Sequence, residues 1–181
     1  LESGRTLAFA KDLLNARGKD TPAGLRSTDG SKCSALDTTA KPNSLKVDNT
    51  YRWVSGEDDP AFGGPIRAMW RPECHGSLPN GDPGRVTAAG YQCSSSDGGG
   101  VHTNSGVPNH GFALLADGGT YNGQTITGIG LTKAAHIYWQ AQRNYQGPTT
   151  DFTDHADALA ASCSDLIGTP LYDLKTTATG W

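Results

Sequence analysis

The residues able to do chemistry in this chain are five histidines, four cysteines and a thin scatter of acids and arginines. His102 follows the run Gly98-Gly99-Gly100-Val101, with Asp97 five residues before it. Taken alone, a histidine after a glycine run is more often structural than catalytic. The glycines resemble a phosphate loop only weakly, because no Gly-Lys-Ser or Gly-Lys-Thr follows to bring a lysine onto the phosphates. His75, His110, His136 and His155 form no recognisable metal spacing, and His110 and His136 fall within predicted helices, where packing is the expected role. Asp58 and Asp59 read as solvated or structural acids, and Arg67 as a candidate for an ion pair with Asp58.

The cysteines at 33, 74, 93 and 163 contain no Cys-x-x-Cys pair, which disfavours a structural zinc site and a thioredoxin-like redox site. Their even number points to disulfides and export. Cys74 and Cys93 bracket Asn80-Gly81-Asp82-Pro83-Gly84, and a bridge closing this loop of about 20 residues would stabilise by roughly 3 kcal/mol. A Cys74–Cys93 bridge leaves Cys33 for Cys163; the two other pairings are formally open.

The elements that must position these groups are uneven along the 181 residues. That length suits one domain, or one large lobe of a bigger protein. With 24 Gly and 10 Pro, much of the chain goes into turns and loops. A formal net charge of -3 gives no electrostatic footprint for nucleic acid or an anionic membrane. No apolar run of about 18 residues occurs, so no membrane span is expected. Residue 1 is Leu, and the opening residues lack the apolar stretch of a signal peptide, so a processed product or fragment is expected.

Residues 6–17 place Leu7, Ala10, Leu13 and Leu14 at helical spacing, with Gly18 as a stop. From about 19 to 100 the periodicity fails, apart from short elements near 45–53, and a structureless stretch of that length needs pinning by disulfides or bound ions. The last third is regular. A short buried helix is predicted over 107–117, with Pro108 near its first turn. Tyr121-Asn122-Gly123-Gln124 signals a hairpin. Thr132 is expected to cap a helix burying Ala134, Ile137, Tyr138, Ala141 and Tyr145. Asp151 or Thr153 opens a final helix with Phe152, Ala156, Leu159, Cys163 and Leu166 on one side. The tail from 169 has no periodicity. The prediction is a mainly α helix bundle with long disulfide-pinned loops and a small β-hairpin, forming one domain over 1–181.

The segment from Gly98 to Asn109, Gly-Gly-Gly-Val-His-Thr-Asn-Ser-Gly-Val-Pro-Asn, resembles the Gly-Gly-Val-His-x-Asn-Ser-Gly-x-x-Asn segment of the thermolysin-like neutral zinc metallopeptidases. The resemblance continues through 115–121, 128–134 and 138–145. Upstream, Gly56-Glu57-Asp58 and Gly63-Gly64-Pro65-Ile66-Arg67-Ala68-Met69 look like the same family's segments in the same order. Asp12-Leu13-Leu14-Asn15 fits the helix after the metal-binding region. The resemblance covers roughly 10–168, with 19–50 standing out as an insertion, and it implies the C-terminal helical lobe of that fold.

In that family a zinc ion, its water and a glutamate base are held by a His-Glu-x-x-His helix and a further Glu on the next helix. Neither pattern occurs here. Glu2-Ser3 resembles the Glu-Ser of the third zinc ligand, which makes Glu2 a candidate ligand, although its spacing to Asp12 is one residue short. The resemblance implies that His102 faces the zinc and donates to the tetrahedral intermediate, that Asp97 orients its imidazole, and that Arg67 grips a substrate carbonyl. It implies also that Ile66 lines the pocket for the residue after the scissile bond, and that Glu57 binds calcium, with Val54 standing where a second acidic ligand is expected.

The resulting expectation is the substrate-binding, transition-state-stabilising half of a secreted zinc metalloendopeptidase. Its partners would be a peptide substrate and an N-terminal half carrying His-Glu-x-x-His, and the isolated chain would be inactive. The alternative is a non-catalytic extracellular binding or structural module derived from such a peptidase.

Overall fold

The computed structural model describes residues 53–55, 67–74 and 81–172. The predicted first helix, the 19–50 insertion, the tail beyond 172, and Glu2, Cys33, Glu57, Asp58, Ile66 and His75 lie outside them. The chain divides into two compact units, the boundary falling between Leu114 and Leu115. No described helix is long and apolar enough to cross a membrane.

In the first unit, β1 (Val54–Ser55) pairs antiparallel with β2 (Arg67–Ala68). Just outside that short ladder, the Met69 amide donates to the Trp53 carbonyl at 2.7 Å. A single 3-10 turn follows at Pro72–Cys74. Two helices follow among the described residues: α1 (Asp97–Asn104) and α2 (Gly106–Asp117), the latter ending across the boundary. Trp53, 1% exposed, meets Phe112 of α2 edge to face with centroids 5.9 Å apart. Such a pair adds about 0.5–1.5 kcal/mol beyond the area it buries. Ala68, Met69, Ala113 and Leu114 fill the rest of this core.

The 81–84 loop is seated by close backbone approach. A Cβ on Gly81 would lie 2.0 Å from the Glu73 carbonyl oxygen, and one on Gly106 would lie 2.5 Å from that of Pro83. The Asp82 amide donates to the Pro72 carbonyl at 3.0 Å. The loop is thus pinned by backbone contacts where the sequence had suggested a disulfide. Cys93 and Cys163 are free, exposed thiols, so neither Cys74–Cys93 nor Cys33–Cys163 is formed.

In the second unit, β3 (Gly119–Tyr121) and β4 (Gln124–Ile126) make the predicted hairpin. Its central residues Asn122 and Gly123 both sit at positive φ, as a type I′ turn requires. The returning chain then satisfies the last carbonyls of α2, with Ile129 donating to Leu115 and Gly130 to Ala116, each at 2.9 Å. Helix α3 (Leu131–Asn144) starts from Gly130 as N-cap in place of the predicted Thr132. It packs on α4 (Phe152–Asp165) through Ala134, Ile137 and Ala141 on one side and Ala158 and Ser162 on the other. Asp151 caps α4 in a reciprocal box with Asp154. The buried face of α4 is turned from the predicted one: Ala156 and Cys163 are exposed, while Ala158 and Ser162 are buried. Tyr145 is likewise exposed, its hydroxyl donating to Asp165 at 2.5 Å.

Candidate functional site

The glycine run before His102 forms a left-handed turn. Asp97, Gly98, Gly99 and Gly100 all have positive φ, at 55°, 59°, 94° and 74°, before the chain reverses hand into the right-handed turn that carries His102. Four such residues in a row cost roughly 1–2 kcal/mol each for side chains with a Cβ, so three of them are glycine. The turn closes on Ser96, whose carbonyl accepts from the amides of Gly99 and Gly100 at 3.1 and 2.9 Å.

The reversal brings the Asp97 side chain back over the helix start. One carboxylate oxygen accepts from the His102 backbone amide at 2.9 Å, and the other meets His102 Nδ1 at 2.5 Å. The backbone hydrogen bond from His102, then its side-chain hydrogen bond, hold the Asp97 carboxyl below its ordinary range, and the Arg67 charge adds a smaller push the same way. Asp97 is therefore ionised and accepts only, which places the proton of a neutral His102 ring on Nδ1. The ring is 78% exposed and its Nε2 has no hydrogen-bond partner among the described residues.

Two polar residues that the sequence did not single out build the support. Asn104 is buried, and its carboxamide is fully used: Oδ1 accepts from the Gln92 amide at 2.9 Å, and Nδ2 donates to the Gln92 and Gly99 carbonyls at 2.9 and 3.0 Å. Asp82 is buried too, with one carboxylate oxygen 3.9 Å from the Arg67 guanidinium. Desolvation pushes its carboxyl up to about 6, against the opposing pull of Arg67. Asp82, in the Gly- and Pro-rich loop, is thus an ion-pair partner of Arg67, while Asp58 lies outside the described residues.

The other described histidines, His110, His136 and His155, each meet a partner within the chain. His110 is buried in α2 with Nδ1 3.4 Å from the Gly84 carbonyl, and desolvation lowers its pKa. His136 Nε2 lies 2.9 Å from the Tyr172 carbonyl. His155 stacks edge to face on Tyr138 and meets Gln146 through Nδ1 at 2.6 Å. No three His, Cys, Asp or Glu residues cluster as a metal site among the described residues, so these residues do not fit a zinc ion.

A histidine held through both oxygens of a carboxylate, with an arginine whose charge reaches that carboxylate, thus sits on a helical scaffold. The chain belongs to the thermolysin metallopeptidase family, its residues 34–181 matching the alpha-helical domain. It is 42% identical over 115 residues to a zinc metalloproteinase of Renibacterium salmoninarum, covering 62% of this chain and 20% of that protein. It is 38% identical over 125 residues to a bacillolysin of Brevibacillus brevis, covering 67% and 22%. A thermolysin of Alicyclobacillus acidocaldarius is 36% identical over 119 residues, covering 64% and 20%. The matched stretch thus spans about a fifth of the length of these relatives.

Proposed function

We propose that this chain supplies the substrate-gripping, transition-state-stabilising part of a secreted zinc metalloendopeptidase. His102, steadied by Asp97, donates from Nε2 to the oxygen that gains charge as a peptide carbonyl is attacked. Arg67 binds a neighbouring carbonyl of the peptide through its planar fork of donors. Zinc and the general base belong, on this reading, to an N-terminal half bearing His-Glu-x-x-His.

The observation that carries the reading is the two-oxygen grip of Asp97 on His102. It supports a proton on Nδ1 in the neutral ring, with Nε2 of the exposed imidazole left for a substrate. Nε2 of that neutral tautomer is an acceptor, so donation requires a ring that carries both protons. A positioned donor of this kind is worth about 3–4 kcal/mol in a site closed from water.

The experiment is casein cleavage by this chain combined with, or extended into, the N-terminal half. Activity is expected, abolished by a chelator, and lowered about 10²–10³-fold in kcat by His102→Ala. Cleavage that survives His102→Ala unchanged, or tight stoichiometric zinc in this chain by itself, would overturn the reading. If the combined halves bind peptide without cutting it, a non-catalytic module is the better description.

A further inference from the structure

We propose that Asn104 is a positioning residue for His102, clasping the backbone at Gln92 and Gly99 so that the left-handed turn delivers the Asp97 carboxylate to the imidazole. This rests on the reading of His102 as the donor, and extends it to a residue that meets no substrate.

The turn needs an external hold. Three glycines in succession have the most backbone freedom to lose, and a Cβ on Gly98 or Gly99 would meet little or nothing, so neither is wedged in place by neighbours. Gly100 is the seated member. A Cβ there would lie 2.4 Å from the Gln92 Cβ and 3.2 Å from Asn104 Nδ2. Asn104 therefore ties together what the turn rests on, Gln92, and the turn itself, at the Gly99 carbonyl. Residues two apart on a helix point to nearly opposite sides, so one helical turn presents His102 to solvent and Asn104 to the interior. The support is also chemically specific. Both Nδ2 protons go to carbonyl oxygens, and a carboxylate of the same shape would set acceptor against acceptor at both places.

The test reads the imidazole directly. In ¹⁵N-resolved NMR of this chain, the neutral His102 ring is expected as the Nδ1–H tautomer. Asn104→Asp and Gly100→Ala should return it toward the Nε2–H form that free imidazole prefers, as Asp97→Asn should, with the amide spectrum of 115–172 unchanged. An Asn104→Asp chain that folds and keeps the Nδ1–H tautomer would overturn the proposal. Should that variant not fold, the unsubstituted chain decides: scalar couplings across the hydrogen bonds from the Asn104 carboxamide to the Gln92 and Gly99 carbonyls are expected, and their absence overturns it. No peptidase activity enters this readout, so a failed cleavage assay sinks the functional reading alone, and an unmoved tautomer sinks this one alone.

Discussion

Asp82 shows what a single buried carboxylate costs when its countercharge is 3.9 Å away. Its folded-state pKa of about 6 lies above the ordinary 3.8, so the folded chain binds this proton more tightly than the unfolded chain. Stability is therefore greatest below about pH 4 on this account, falls as pH rises to about 6, and is level above. The shift corresponds to at most about 3 kcal/mol. Asp82→Asn is expected to flatten that slope and raise the urea midpoint at pH 7.5, checked by melts at pH 4.5 and 7.5. A second expectation concerns the turn. Gly99→Ala meets open space and should cost only about 1–2 kcal/mol for its positive φ, whereas Gly100→Ala adds a collision with Gln92 worth roughly 1–3 kcal/mol more. Urea unfolding of the two variants checks that order. Neither Asp82 nor Asn104 was legible as a site residue beforehand. Each matters through a partner 12 or more residues away in sequence, Gln92 for Asn104 and Arg67 for Asp82, and periodicity carries no such information.

Among the elements, the pair α3 and α4 has its own titration. His155 Nδ1 lies 2.6 Å from Gln146 Nε2, a donor, so Nδ1 accepts and the ring proton sits on Nε2, which is buried with no partner among the described residues. Burial lowers the His155 pKa below 6.5. The unfolded chain then takes up the proton first, so stability present above about pH 6.5 is lost as pH falls toward the folded value. His110, lowered by desolvation too, adds a slope of the same sign. His155→Phe keeps a ring against Tyr138 and removes the orphan donor, whose burial costs about 1–3 kcal/mol. Hydrogen-exchange protection at α3 and α4, corrected for the intrinsic pH dependence of exchange, should fall between pH 7 and 5 in the parent chain and change less in His155→Phe. The buried face of α4 is hard to read from spacing alone. Phe152, Leu159 and Leu166 repeat every seven residues and fit either flank. Ala156 and Cys163 were the more apolar choice, but the structure buries Ala158 and Ser162, small residues that let the helix approach α3 closely. The hairpin and the Asp151 cap were readable because Asn-Gly and Asp-x-x-Asp act through local backbone geometry. The strand pair β1 and β2 was not, since two residues per strand leave no alternation to detect.

For the whole molecule, the open matter is what replaces the disulfides expected from four cysteines. With Cys93 and Cys163 free and exposed, the loop at 81–84 is held by Gly81 against Glu73, Gly106 against Pro83, and the Asp82 amide on Pro72. Those are close contacts between backbone atoms, and they leave the unfolded chain as long and unrestrained as its sequence makes it. A Cys74–Cys93 bridge would instead have removed entropy worth roughly 3 kcal/mol from the unfolded state. The two cases differ in a simple measurement. Alkylation of the folded chain without reductant, followed by peptide mapping, should label both Cys93 and Cys163. Adding reductant should leave unaltered whatever share of the melting temperature depends on these two positions, so Cys93→Ser and Cys163→Ser should each melt within a degree or two of the parent, as surface substitutions do. A mapped Cys74–Cys93 or Cys33–Cys163 peptide, with a melting temperature that drops on reduction, would instead return the pinning of the loops to sulfur and make the glycine contacts secondary.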